Sequence, residues 1–241
     1  MWIYGRHAVK SALLNEKREI LRLVLLESFK DFSDKCSRSS LKPEFVDKNF
    51  FNSTFGRDAI HQGCAVLVKN LREPCIGELL ENESDHRPFV LLDQVTDPQN
   101  VGGILRAAAV FGARAVVVQD RNSPELTPAI AKVASGAIET VPLIRVANLV
   151  GAISSLKKRG FWCVGLDEKS EQKIQEISLL GNFVFVIGSE GGGIRRLTRE
   201  SCDFLVHLPA FGNFTTLNAA QAATIALYEF LRQNQNNVEK R

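Results

Sequence analysis

From Phe89 onward the chain repeats short, unbroken apolar runs: FVLLDQV, ARAVVVQD, FWCVGLD, NFVFVIGS and FLVHLP. A strand with one wet face alternates apolar and polar residues, and these runs do not, so both faces must be covered. Stretches with helical apolar spacing, such as ILRAAAVFG and NLVGAISSLKKRG, lie between most of them. Strands buried on both faces and alternating with helices form a largely parallel sheet, so the fold class expected here is α/β. Ligands in such sheets sit at the carboxyl ends of the strands, and that is where chemistry should be sought.

The first third is organised differently. IYGRHAVKSALLNEK places Val9, Ala12 and Leu13 at helical spacing, and a strand-like Ile20 to Glu27 follows. A helix-like DFSDKCSRS, an extended KPEFVD and a closing strand from Cys64 to Leu71 complete a small α/β domain. The expected division is a domain over 1–73, a connection over 74–88 carrying IGELLENE and SDHR, and a larger domain over 89–241. Residues 1–75 carry a net charge of +4 and residues 76–241 a net charge of −1. A basic segment fits a polyanion partner, and it equally fits an ordinary solvated surface.

With 45% hydrophobic and 24% charged residues, the composition is that of a globular chain. The five cysteines, Cys36, Cys64, Cys75, Cys163 and Cys202, are odd in number, widely spaced and free of CxxC or Cys/His clustering. Neither a disulfide framework nor a metal site is expected. No run approaches 18 apolar residues, and MWIYGRHAVKSAL has charges where a signal peptide needs an apolar core. A cytoplasmic protein with no membrane association is expected.

Three loops are candidates for chemistry, each with a bland rival. In TDPQNVGGILR, Asp97-Pro98 reads as a turn and Gly102-Gly103 as the way into a helix, with Arg106 about one turn inside it. Asn100 and Arg106, six residues apart across the glycines, can also form part of a site. GSEGGG is followed by no Gly-Lys-Ser/Thr, so it is no P-loop, and its late position argues against a dinucleotide fingerprint. Glu190 reads either as a site residue or as a charge at the start of the next helix. In PAFGNFTTLN, capping accounts for one of Thr215 and Thr216 but not for Asn218 just inside the helix.

Taken together, DPQNVGGILRAA, FVIGSEGGGIRRLT and LPAFGNFTTLNAAQAATIALYE resemble the three motifs of the SpoU-type RNA ribose 2'-O-methyltransferases, within the knotted methyltransferases that use S-adenosylmethionine. IYGRHAVKSAL, HQGCAVLV and KVASGAIETVPLIRV are similar to the branch that methylates guanosine in 23S ribosomal RNA. The resemblance implies a C-terminal α/β domain closed by a deep trefoil knot, which is a rare exception among folds. It also implies a homodimer whose sites draw on both copies, and a small N-terminal RNA-binding domain resembling ribosomal protein L30, with Arg6 and His7 at the RNA.

By the same resemblance S-adenosylmethionine is held mainly by main chain at Gly188, Leu208 and Leu217, the two leucines otherwise reading as core. The motif residues of the reaction fall on Asn100, Arg106, Glu190, Thr216 and Asn218. The family's arginine has been assigned as the general base, but a guanidinium has a pKa above ~12. The expectation is therefore that Arg106 orients the target phosphate and stabilises the developing alkoxide. The chain departs from the family pattern at Thr216 and Ala220, where serines are usual, and at Ala210, where methionine is usual. Two other functions share these features: a ribose methyltransferase acting on transfer RNA, and a non-catalytic RNA-binding ribosome-assembly factor.

Overall fold

The computed structural model describes residues 1–29, 32, 41–121, 124–213 and 216–235. The helix-like stretch over 31–39 falls outside the described residues except at residue 32, as do Cys36 and Thr215. The chain forms two compact units, one of residues 1–72 with 125–140, the other of residues 73–124 with 141–241.

The first unit is built on four strands, β1 (Trp2–Tyr4), β2 (Ile20–Leu26), β3 (Glu44–Val46) and β4 (Cys64–Val68), in the order β1-β4-β2-β3. Only β2 and β3 run parallel. Helix α1 (Arg6–Leu14) buries Ala8, Val9, Ala12 and Leu13, the helical spacing read from the sequence. Helix α2 (Lys48–Phe55) is capped by Asp47, whose carboxylate accepts from the Phe50 N–H at 2.9 Å.

The expected division near residue 74 is a division along the chain, and the compact unit takes in residues 125–140 as well. The stretch PAIAKVASGAIE forms two pieces: α5 (Pro128–Ala134) and a 3-10 turn over Ala137–Glu139. The break is set by a close approach to α1. Ser135 and Gly136 take φ of 53° and 95°, and a Cβ on Gly136 would lie 2.2 Å from Ser11 Oγ. The turn delivers Glu139 to Arg18. Nε and Nη2 of Arg18 donate to the two carboxylate oxygens at 3.0 and 2.9 Å, and Asn15 Nδ2 donates at 2.7 Å. Arg18 Nη1 donates to the Lys69 carbonyl at 2.9 Å.

The second unit is one sheet of six parallel strands: β5 (Phe89–Asp93), β6 (Ala115–Gln119), β7 (Leu143–Val146), β8 (Trp162–Leu166), β9 (Phe183–Gly188) and β10 (Phe204–Val206), in the order β10-β8-β9-β5-β6-β7. The apolar residues of β5, β6 and β9 are all buried, so both faces are covered, as their unbroken runs require. Helices α4 (Pro98–Val110), α6 (Leu149–Lys157), α7 (Arg196–Glu200) and α8 (Ala219–Gln233) join or follow the strands. Residues 73–88, with the short helix α3 (Ile76–Leu79), belong to this unit. The buried Arg114 holds them by donating to the carbonyls of Leu79, Asn82 and Asp85.

The Arg18 and Glu139 side chains are 1% and 3% exposed, so removing one partner breaks a buried, bidentate ion pair. Glu139→Ala is expected to destabilise the first unit by about 3–5 kcal/mol, and joint replacement by Arg18→Met and Glu139→Leu to recover most of the loss. In a Trp162→Phe background Trp2 is the sole tryptophan and reports on this unit. Denaturant unfolding followed at Trp2 checks the prediction; an unmoved midpoint in Glu139→Ala overturns it.

Candidate active site

The first candidate loop is shorter than the sequence suggested, because the helix begins earlier. Asp97 caps α4, accepting from the N–H groups of Gln99 and Asn100 at 3.2 and 3.3 Å, and Pro98 occupies the first helical position. The Asp-Pro pair is thus a helix start and not a turn. Asn100, Gly102 and Gly103 are helical, and Arg106 lies two turns in instead of one. The glycines serve helix packing: a Cβ on Gly103 would come within 2.8 Å of Ala220 Cβ on α8.

The second loop is closed on itself. The Ser189 N–H donates to the Gly193 carbonyl at 3.2 Å and the Gly193 N–H to the Ser189 carbonyl at 2.9 Å. A Cβ on Gly188 would lie 2.2 Å from the Gly193 carbonyl carbon, so the loop's own backbone demands glycine there before any ligand is considered. Gly191 and Gly193 take positive φ, 77° and 63°. Glu190 does not begin the next helix, which starts at Arg196; it sits in this turn, exposed, and accepts from Asn100 Nδ2 at 2.8 Å.

The third loop runs from the end of β10 to α8. Asn218 is the N-cap of α8 and not a residue inside it: its side chain accepts from the Gln221 N–H at 2.8 Å, and Gln221 Oε1 accepts from the Asn218 N–H at 3.3 Å. This capping box accounts for an asparagine that seemed surplus in the sequence. Thr216 and Leu217 are exposed, and Leu208 is half-buried beyond β10.

Helix α4 gathers the pieces. Asn100 is bonded to Glu190 of the second loop, and one turn later Gly103 lies under Ala220, two residues past Asn218 of the third. Arg106, a turn further on, is exposed and has no hydrogen bond or ion pair among the described residues. Arg6 and His7 lie elsewhere, in the first turn of α1 in the first unit.

The sequence reading missed Asp93 and Arg195. Asp93 ends β5 fully buried, and its carboxylate accepts from the Arg195 N–H at 2.9 Å and from Arg195 Nε at 2.6 Å. Arg195 Nη2 donates to Gln119 Oε1 at 2.7 Å. The available signal was an acid closing the apolar run FVLL, since a buried carboxylate needs a partner. Among the described residues no group of three or more His, Cys, Asp or Glu is placed to hold a metal ion, and no helix is long and apolar enough to cross a membrane.

Comparison with known proteins agrees with this architecture. The sequence model of the SpoU rRNA Methylase family matches residues 87–228, and that of the RNA 2'-O ribose methyltransferase substrate-binding domain matches residues 2–74. The 23S rRNA (guanosine-2'-O-)-methyltransferase RlmB of Coxiella burnetii is 38% identical, over 97% of this chain and 96% of the relative. RlmB of Pseudomonas putida is 36% identical over the same shares. The crystal structure of the SpoU methyltransferase AviRb from Streptomyces viridochromogenes, in complex with AdoMet, superposes with a TM-score of 0.82 at 20% identity, over 98% of this chain and 90% of that one. The chain belongs to the SpoU rRNA methylase family.

The closed turn makes a sharp prediction about two glycines. Gly188→Ala forces a methyl group against backbone and is expected to cost at least about 1–3 kcal/mol. Gly151, exposed in α6 with its nearest neighbour 3.9 Å from an added Cβ, is expected to gain about 0.4–1 kcal/mol as alanine. Thermal unfolding of the two variants checks this; equal effects would show that the 188–193 contact does not constrain the loop.

Proposed function

We propose that this chain transfers the methyl group of S-adenosylmethionine to the ribose 2'-hydroxyl of a guanosine in 23S ribosomal RNA. The observation that carries the reading is the convergence on α4, where the first motif is bonded to the second through Asn100 and Glu190 and packed on the third through Gly103 and Ala220. Relatives of that activity match nearly the whole chain.

The residues fit the cofactor. An adenine ring and a sulfonium chain ask for apolar surface and main-chain polar groups at a strand edge. Leu217 and Phe211 are exposed apolar side chains in the third loop, Leu208 is half-buried, and the second loop presents main chain free of side chains at 191–193. Beside Leu208, the buried Nδ1 of His207 has no hydrogen-bond partner among the described residues. In this reading Gly188, Leu208 and Leu217 hold S-adenosylmethionine, which supplies an electrophilic methyl group.

The chain's own work is alignment and charge. Arg106, exposed and without a partner among the described residues, holds the target phosphate and stabilises the 2'-oxygen as its proton leaves to water or a neighbouring group. Glu190 spends one oxygen on Asn100, so the pair braces the first motif against the second. Asn218 fixes the start of α8, and Thr216 beside it holds the ribose.

The reading extends to a homodimer, to a trefoil knot in the second unit and to an RNA-binding first unit of ribosomal protein L30 type with Arg6 and His7 at the RNA. It also places the protein in the cytoplasm with its ribosomal substrate. Val110 on α4 and Ile225 and Tyr228 on α8 are exposed apolar side chains on two packed helices, a face that a second copy would cover.

Labelled S-adenosylmethionine with protein-free 23S RNA or transfer RNA tests the substrate. Label is expected in 23S RNA, at a guanosine 2'-oxygen; label only in transfer RNA replaces the substrate, and no label with either leaves an assembly factor. Separately, Arg106→Lys is expected to lower the single-turnover rate about 10²–10³-fold, as loss of one oriented donor does elsewhere. A full rate in that variant would remove the directional role of the guanidinium.

A further inference from the structure

The first unit carries a cluster of cations that form no ion pair among the described residues. Arg6 and His7 open α1, Gln62 lies in the turn before β4, and Lys132 comes from α5, 70 positions beyond Gln62. Gln62 joins them: its Oε1 accepts from the Arg6 N–H at 3.0 Å and from Lys132 Nζ at 2.9 Å, with the residue itself at a φ of 55°. The Arg6 guanidinium lies 4.6 Å from the centre of the Phe29 ring.

Two glycines make room for this arrangement. A Cβ on Gly5 would lie 2.4 Å from Lys132 Nζ, and one on Gly63 would lie 2.6 Å from the Phe29 ring. The ammonium and the ring that supports the guanidinium both occupy space that any other residue would fill. Among the described residues, Arg6, His7 and Lys132 form no ion pair, whereas Arg18 and Arg22 of the same unit are bound by Glu139 and Glu44. Burial pulls the Lys132 ammonium below the ordinary lysine range, with Cys64 acting in the opposite sense.

We propose that Arg6, His7 and Lys132 form one surface that grips the RNA backbone through its phosphates, with Gln62 spacing the two long cations and Phe29 supporting Arg6. The inference rests on the reading of RNA as substrate and extends it to Lys132. That residue lies in the stretch matched by the methylase model, yet it is packed in the unit whose opening residues match the substrate-binding model. Arg6 and His7 are exposed, as suits the backbone of a long chain. Phosphate contacts of this kind set affinity and register without reading bases.

The test uses the full-length protein and protein-free 23S RNA, with binding measured across a salt series. Each phosphate contact contributes about 0.7–0.9 to the slope of log affinity against log salt. Lys132→Gln and Arg6→Gln are each expected to flatten the slope by about that amount and to weaken binding several-fold at low salt, with Lys132→Arg close to wild type. S-adenosylmethionine affinity by calorimetry, expected to be retained, separates lost contact from lost fold. Unchanged slopes in both glutamine variants overturn the surface while the methyltransferase reading stands. A wild-type protein that binds S-adenosylmethionine yet neither binds nor methylates RNA overturns the broader reading instead.

Discussion

The arrangement of the site follows from one register. β5 and β9 are parallel neighbours, and Asp93, the last residue of one, pairs with Gly188, the last of the other. Two loops of different sequence therefore leave the sheet side by side. Asp93 is also a carboxylate with no exposed surface, and leaving such a group unpaired costs several kcal/mol. It takes both hydrogen bonds from Arg195, one from the main chain, so the far end of the second loop is drawn back to the strand that begins the first. The loop between these anchors is short, and Gly193 closes it over Gly188. Glu190 is then carried on a rigid turn, and its bond to Asn100 joins parts already in place. Arg195 is half-exposed, so its Coulombic attraction alone is screened; the main-chain donor and the burial of Asp93 give the contact its hold.

Close approach to a glycine recurs in both units. Gly188 lies under Gly193 and Gly103 under Ala220, while in the first unit Gly5 lies under Lys132 and Gly63 under Phe29. Each glycine admits a specific group and not merely a turn. This shifts the meaning of Gly188 in particular: the family resemblance gave it to the cofactor, whereas the loop's own carbonyl already fills the space a side chain would take. A ligand held there meets a surface whose shape is fixed by the chain.

The parallel sheet was legible because FVLL and FVFVI leave no wet face, and the structure buries every residue of both. The three loops were legible as candidates because the carboxyl ends of parallel strands are where such residues collect. What failed was local and had a common cause, since one residue type satisfies two rules. Asp-Pro initiates turns and also caps helices, so α4 was read as starting six residues late. In TTLN three side chains are fit to cap, and only the reciprocal bond from Gln221 selects Asn218. The pairing of Asp93 with Arg195 spans 102 positions, and that of Arg18 with Glu139 spans 121, beyond any local pattern.

That second distance bears on how the chain folds. The substrate-binding model ends at residue 74, but the unit it describes is completed by residues 125–140. Arg18, with 1% of its side chain exposed, takes both carboxylate oxygens of Glu139 from outside residues 1–72, and the broken helix at Ser135 and Gly136 is shaped by α1. Closing a loop of this length costs only slightly more entropy than closing one half as long, so thermodynamic stability is little affected. Speed is another matter, because contacts so distant in sequence form late. β5, which carries Asp93, and α4, which carries Asn100 and Arg106, both lie inside that loop. The first unit thus reaches its final packing only after the chain that carries the first motif has been made and passed through, and the two units cannot be separated by a single cut without breaking a buried ion pair.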